Sequence, residues 1–130
     1  MIHYLKTVKD PPEPADGCRL IIMRRYPRGV SKSRVHAWLP QLAPSLPLVH
    51  WYHETKAAIE SKWFKANPER FVTELARFWA TYSRRYLGEM KQQRTFIEFL
   101  ATLERRFGLT LTLLCVCHDH RICHRACWQI

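Results

Sequence analysis

The spacing of apolar positions changes several times along the 130 residues, and each change marks an element. Ile2 to Val8 alternates weakly, as a short strand does. Residues 10–17, Asp-Pro-Pro-Glu-Pro-Ala-Asp-Gly, cannot continue it, because three prolines remove donors and fix φ. A Pro-rich loop is predicted there. Cys18 to Met23 is an apolar, β-branched run of buried-strand type, and it ends in the Pro27/Gly29 turn. Ser31 or Ser33 is placed to cap a short helix carrying Val35, Trp38, Leu39 and Leu42 on one face, with Pro40 shortening or bending it.

Helical patterning dominates the middle of the chain. Ala43-Pro44-Ser45 restarts it, and Thr55 to Lys65 predicts a helix. Asn67-Pro68-Glu69 is a strong helix start, with Asn at the cap, Pro at N1 and an acid in the first turn. Phe71, Leu75, Phe78, Tyr82 and Tyr86 then recur at helical spacing, widened by Val72 and Trp79. Such a stripe resembles a base-stacking platform, but its period marks it as core. Phe96, Leu100, Leu103 and Phe107 mark one more amphipathic helix, which Gly108 stops as a C′ residue. Leu109 to Val116 is a second buried-type strand.

Strand, helices and strand in that order are the sign of parallel strands joined by a crossover. The predicted fold is therefore α/β: one domain over residues 1–130, with a small mostly parallel sheet of two to three strands and crossover helices. At 47% apolar, a chain of this length buries roughly two-thirds of the surface it exposes when unfolded.

Charge then narrows the partners. Twenty-one Lys and Arg against eleven Asp and Glu leave a formal charge of +10. That balance favours a phosphorylated small molecule, nucleic acid or an anionic surface, although the charge is partly dispersed and also serves solubility. No apolar run approaches the roughly 20 residues of a membrane span. Met-Ile-His-Tyr-Leu-Lys has no apolar run of the secretory kind, so a cytoplasmic protein is expected. Five cysteines, four of them between positions 115 and 127, do not resemble a disulfide framework, and reduced thiols are predicted. Nothing in the sequence specifies a cofactor or an oligomeric state.

The chemistry gathers at the C-terminus. Residues 115–130 hold four cysteines and three histidines directly after the last strand, where open α/β sheets build their sites. Cys123 and His124 are the candidate nucleophile and acid–base pair, near the start of a terminal helix whose dipole would lower the thiol pKa. Arg125 is placed to clamp an anion. Cys115 and Arg121 share the five-residue interval of cysteine-dependent phosphatases, but the intervening Val-Cys-His-Asp-His lacks the glycines of such a loop. Cys117, His120, Cys123 and Cys127 form an alternative zinc set, although zinc sites usually separate two knuckles by a longer stretch. A second patch, residues 24–34, carries five basic residues and no acid. If the two strands are parallel neighbours, Arg24, Arg28, Lys32 and Arg125 would border one pocket suited to phosphate or carboxylate. A non-enzymatic module that binds nucleic acid through phosphates is the other reading of the same charge.

Asp16-Gly17, Arg19, Leu20 to Lys32 with its Pro-Arg-Gly-Val-Ser block, Trp38 and Leu42-Ala-Pro-Ser45 resemble the family called domain of unknown function 488. Tyr86-Leu-Gly-Glu-Met90, Leu111 to Cys115 and Cys123-His124-Arg125 fit the same pattern. The resemblance implies a small cytoplasmic bacterial or archaeal α/β protein without an established activity. Met23 stands where that family often has an acid. The stretch from His53 to Thr81 is longer than the family leads one to expect, which points to an inserted helix over 54–67.

Overall fold

A computed structural model describes residues 2–3, 5–117 and 123–128. Its centre is a parallel sheet of four strands: β1 (Ile2–His3), β2 (Cys18–Ile21), β3 (Ala37–Trp38) and β4 (Leu111–Leu114), in the order β1-β4-β2-β3. β2 and β4 pair in parallel, with Leu20 opposite Leu113 and Ile21 opposite Leu114. The two strands that the apolar pattern predicts most clearly are thus neighbours running the same way. Their C-terminal ends lie side by side.

Three helices follow β3: α1 (Leu46–Trp63), α2 (Pro68–Met90) and α3 (Arg94–Phe107). Alternation along the strands sends side chains to two faces. Leu20, Ile22, Leu111 and Leu113 join the core with Leu48 and Tyr52 of α1 and Phe78, Tyr82, Tyr86 and Met90 of α2. On the other face Ile21 and Leu114 pack with Val8 and Val30, so loops rather than helices cover that side.

The helix ends follow the expected chemistry. Asn67 Oδ1 accepts from the Arg70 N–H at 3.1 Å and caps α2, and Gly108 at φ 63° ends α3. The aromatic stripe of α2 is core at Phe78, Tyr82 and Tyr86, whereas Val72 is exposed. Phe107 of α3 is exposed too, contrary to its place in the predicted apolar stripe.

Two elements in the first half of the chain differ from the sequence reading. The short helix expected after Ser31 is instead a 3₁₀ turn (Lys32–Arg34), the strand β3 and a second 3₁₀ turn (Pro40–Leu42). Backbone pairing with β2 wins, since His36 N donates to Arg19 O at 2.8 Å and Leu39 N to Ile21 O at 2.7 Å. Ser31 still caps, but only the 3₁₀ turn. The helix predicted from Thr55 begins nine residues earlier, at Leu46, and ends at Trp63. Ser45 caps it, and its first half shows no simple amphipathic period because Leu48 and Tyr52 enter the core while Leu46, Val49, His50 and His53 line a cavity.

Gly17 joins the Pro-rich loop to β2 at φ 62°, and an added Cβ would lie 2.4 Å from the Thr110 carbonyl oxygen. Replacing Gly17 with alanine costs roughly 1–3 kcal/mol from the backbone conformation alone, with the clash added to it. Denaturant melts of the two proteins measure this, and equal midpoints would contradict the close approach.

Candidate functional site

Past β2 the chain continues as Met23-Arg24-Arg25, and past β4 as Cys115-Val116-Cys117. These two exits and the 3₁₀ turn His124–Trp128 enclose a cavity of about 330 Å³, closed on its far side by the start of α1 and by Tyr82 of α2. Crevices at the carboxyl ends of parallel strands are where open α/β sheets bind ligands. The wall includes Arg24, Arg25, His50, His53 and His124, and no aspartate or glutamate among the described residues.

Cys123 and His124 sit at the inner end, both buried. Cys123 Sγ lies 3.5 Å from His124 Nδ1, and His124 Nε2 lies 2.6 Å from the Ile22 carbonyl oxygen. A carbonyl only accepts, so Nε2 carries the proton and donates it there. Nδ1 therefore presents its lone pair to the thiol in the neutral ring, as a base must. Tyr86 packs edge-on against the imidazole, with centroids 5.3 Å apart. Its hydroxyl donates to Leu42 O at 2.6 Å and accepts from Trp128 Nε1 at 2.9 Å, which holds the ring in place.

Arg125 is fully buried behind the pair. Its Nε donates to Cys123 Sγ at 3.4 Å, Nη2 to Cys117 O at 2.6 Å, and Nη1 to Lys6 O. It thus ties the segment after β1 to the end of β4 and directs a fixed positive charge at the sulfur. The hydrogen bond from Cys115, then that from Cys117, holds the Cys123 thiol well below its usual range against the effect of burial, and His124 adds to the shift. Cys115 pays the converse: its bonds to Cys117 and Cys123, with burial, push it up. Cys117 is drawn down by Cys115 but raised further by Cys123 and burial, to about 11. Burial raises Cys127 to about 11 as well. One thiol of the cluster is set to ionise at the expense of its neighbours.

The residues singled out from sequence divide accordingly. Arg24, Cys123 and His124 line one cavity, and Arg125 supports it from behind. Arg28 and Lys32 are exposed on the turn after β2 and are not among the lining residues. Arg24 is held by its Nε donating to Pro44 O at 3.1 Å and Nη2 to Ala43 O at 3.0 Å. The expected terminal helix is a five-residue 3₁₀ turn, so neighbouring side chains rather than a helix dipole favour the thiolate. Arg121 and His120 lie outside the described residues. Among the described residues, Cys115, Cys123 and His124 bring their donor atoms within 4.8 Å of one another, a set suited to a thiophilic cation. The Arg125 guanidinium at the same sulfur opposes a second positive charge there. Cys127 does not join this trio. Sequence reasoning missed His50 and His53, although their i, i+3 spacing on a helix puts them on one face.

The blocks that carry the resemblance touch one another. Leu42-Ala-Pro offers its three carbonyls to Tyr86 and Arg24, while the N–H and Oγ of Ser45 donate to the carboxylate of Glu89. Fold and site define a small parallel α/β protein with a thiol–imidazole pair at its strand ends. The family model described as "Active DUF488-N3 subclade" matches residues 3–128, and the chain belongs to that family. It is similar to the uncharacterized protein YeaO of Escherichia coli (strain K12), 29% identical over 106 residues, 82% of this chain and 76% of that protein. It is also similar to the uncharacterized protein Rv3073c of Mycobacterium tuberculosis (strain H37Rv), 34% identical over 68 residues. That second match covers 51% of this chain and 48% of the mycobacterial protein. No solved structure matches. Among the described residues, no helix is long and apolar enough to cross a membrane.

Proposed function

We propose that the chain binds a small phosphate-bearing molecule in the strand-end cavity and acts on it with Cys123 as nucleophile. The observation that carries this is the cavity wall, which combines Arg24, Arg25, His50 and His53 with the Cys123–His124 pair and, among the described residues, contains no carboxylate. In this reading Arg24 and Arg25 hold the anion by charge-assisted hydrogen bonds. His124 Nδ1 takes the thiol proton, Arg125 stabilises the sulfur anion, and the sulfur attacks the electrophilic centre beside the anionic group as that centre's bond to a leaving group breaks and the leaving group takes the proton from His124. The matched subclade's description as active is in keeping with a working site.

Calorimetry with inorganic pyrophosphate tests the binding half. Arg25→Met weakens binding by about tenfold or more, as loss of one charge-assisted contact does, while Arg28→Met and Lys32→Met leave it unchanged. Pyrophosphate also protects Cys123 from alkylation. Absence of binding and of protection would end the proposal. The rival nucleic-acid module predicts the opposite pattern: oligonucleotide affinity that falls steeply with salt and depends on Arg28 and Lys32 on the exposed turn. A zinc protein would instead carry roughly stoichiometric metal and lose its fold with chelator.

A further inference from the structure

Cys115 forms no covalent bond in the chemistry proposed above, yet it is buried at the end of β4 with its sulfur within 4.8 Å of Cys123 Sγ. Cys117 Sγ lies 3.7 Å from Cys115 Sγ and also hydrogen-bonds Cys123. Three thiols in mutual contact are more than a nucleophile needs. Free cysteines of a core are usually single small apolar side chains. Here they hydrogen-bond to one another beside a guanidinium and an imidazole.

We infer that Cys123 and Cys115 form a reversible peroxide-sensitive pair, in which oxidised Cys123 is resolved by Cys115 as a disulfide across the floor of the cavity. The inference rests on Cys123 being the reactive thiol. A hydroperoxide is the co-reactant, and the cavity of about 330 Å³ admits it to the sulfur.

The Cys123 thiolate attacks the distal peroxide oxygen. The S–O bond forms as the O–O bond breaks, sulfur loses two electrons, and the leaving alkoxide or hydroxide takes the proton that His124 Nδ1 received from the thiol. The product is a sulfenic acid at Cys123. Cys115 sulfur then attacks Cys123 sulfur. The S–S bond forms, the S–OH bond breaks, and the hydroxyl leaves as water with the Cys115 proton. An external dithiol reverses the step by exchange, becoming oxidised while both cysteines return to thiols. Cys123 is the better leaving sulfur of the two, since the groups around it favour its anion. Burial keeps the sulfenic acid from bulky thiols, so its neighbour reacts first. In the disulfide state the nucleophile is consumed, and chemistry at the site stops until reduction.

Peptide mapping by mass spectrometry after adding hydrogen peroxide to the reduced, metal-free protein tests the pair directly. A Cys115–Cys123 cross-link is expected, with loss of two free thiols that dithiothreitol restores. In Cys115→Ala the cross-link is lost, and dimedone, a trap for sulfenic acid, accumulates on Cys123. Two results would overturn the inference while leaving Cys123 as nucleophile: wild-type protein holding a dimedone-trapped Cys123 beside a free Cys115, or a cross-link from Cys123 to Cys117, Cys18 or Cys127 instead. A Cys123 inert to both peroxide and iodoacetamide would overturn this inference and the proposed nucleophile together. The wild-type mapping needs no variant to fold.

Discussion

Arg19→Met is expected to cost about 3–5 kcal/mol, enough to remove much of the stability of a domain this size. Arg19 is 2% exposed, and all of its reach is internal. Nη1 meets Asp16 Oδ2 at 2.5 Å, Nη2 meets Asp10 O at 2.9 Å, and Nε meets Arg34 O at 2.8 Å. Methionine fills the space but leaves a buried carboxylate with, among the described residues, only Lys6 and the Glu13 N–H as partners, and takes the Arg19 donors from two carbonyls. Breaking one side of a buried pair costs more than the pair itself contributes, because the remaining charge has already lost its water.

The same cluster sets an acid limit. Burial pushes the Asp16 carboxyl up, but the Lys6 ammonium, the Glu13 N–H and Arg19 outweigh it and hold it at about 2. A folded value below the unfolded one means that the contribution is complete above about pH 4 and is lost as pH falls toward 2. Stability measured by denaturant at a series of pH values therefore declines across that window. In Arg19→Met the folded value rises toward the unfolded one, so the decline across that window is smaller. An acid decline of the same size in both proteins would show that Arg19 does not act on Asp16.

His124→Ala carries the second large effect: alkylation of Cys123 by iodoacetamide at pH 7 slows by about tenfold, because the thiolate loses one partner while Cys115, Cys117 and Arg125 remain. The imidazole is tied at Nε2 to Ile22 O, so its only free nitrogen is the one that faces the sulfur. Cys117 and Cys127, each near 11, stay protonated at pH 7 and set the slow background. Mass-mapped alkylation rates separate the five cysteines. An unchanged rate at Cys123 in the variant would mean that Arg125 and the neighbouring thiols hold the thiolate without the imidazole.

Much of the fold could be read from the chain because its signals are local. Asn67-Pro68 starts α2, Gly108 ends α3, and the apolar runs at Cys18 and Leu109 pair as parallel neighbours. Where long-range pairing decides, the local pattern misleads. Ala37–Trp38 carries a helical apolar spacing with its surroundings, yet the backbone of β2 captures it as an edge strand. The candidate site shows the same division. Strand ends, Arg24, Cys123 and His124 converge as the order of elements implies.

The role of each arginine was not legible. Arg19 and Arg125 look like any basic residue in sequence, but each is buried with three directed hydrogen bonds. Arg28 and Lys32, in the most basic stretch, point elsewhere because the turn after Arg25 carries them to the exposed side. His50 and His53 enter the site from α1, whose early start depends on Ser45 meeting Glu89, 44 residues away. No window of sequence contains that contact.

The ionisation of Cys123 in the reduced, metal-free protein tests the central claim most directly. Ultraviolet thiolate absorbance, followed with pH in wild type and in Cys123→Ser, is the measurement. One thiolate already present at pH 6 in the wild type and missing from Cys123→Ser is the predicted result. Identical titrations, with every thiol protonated until the alkaline range, would contradict it.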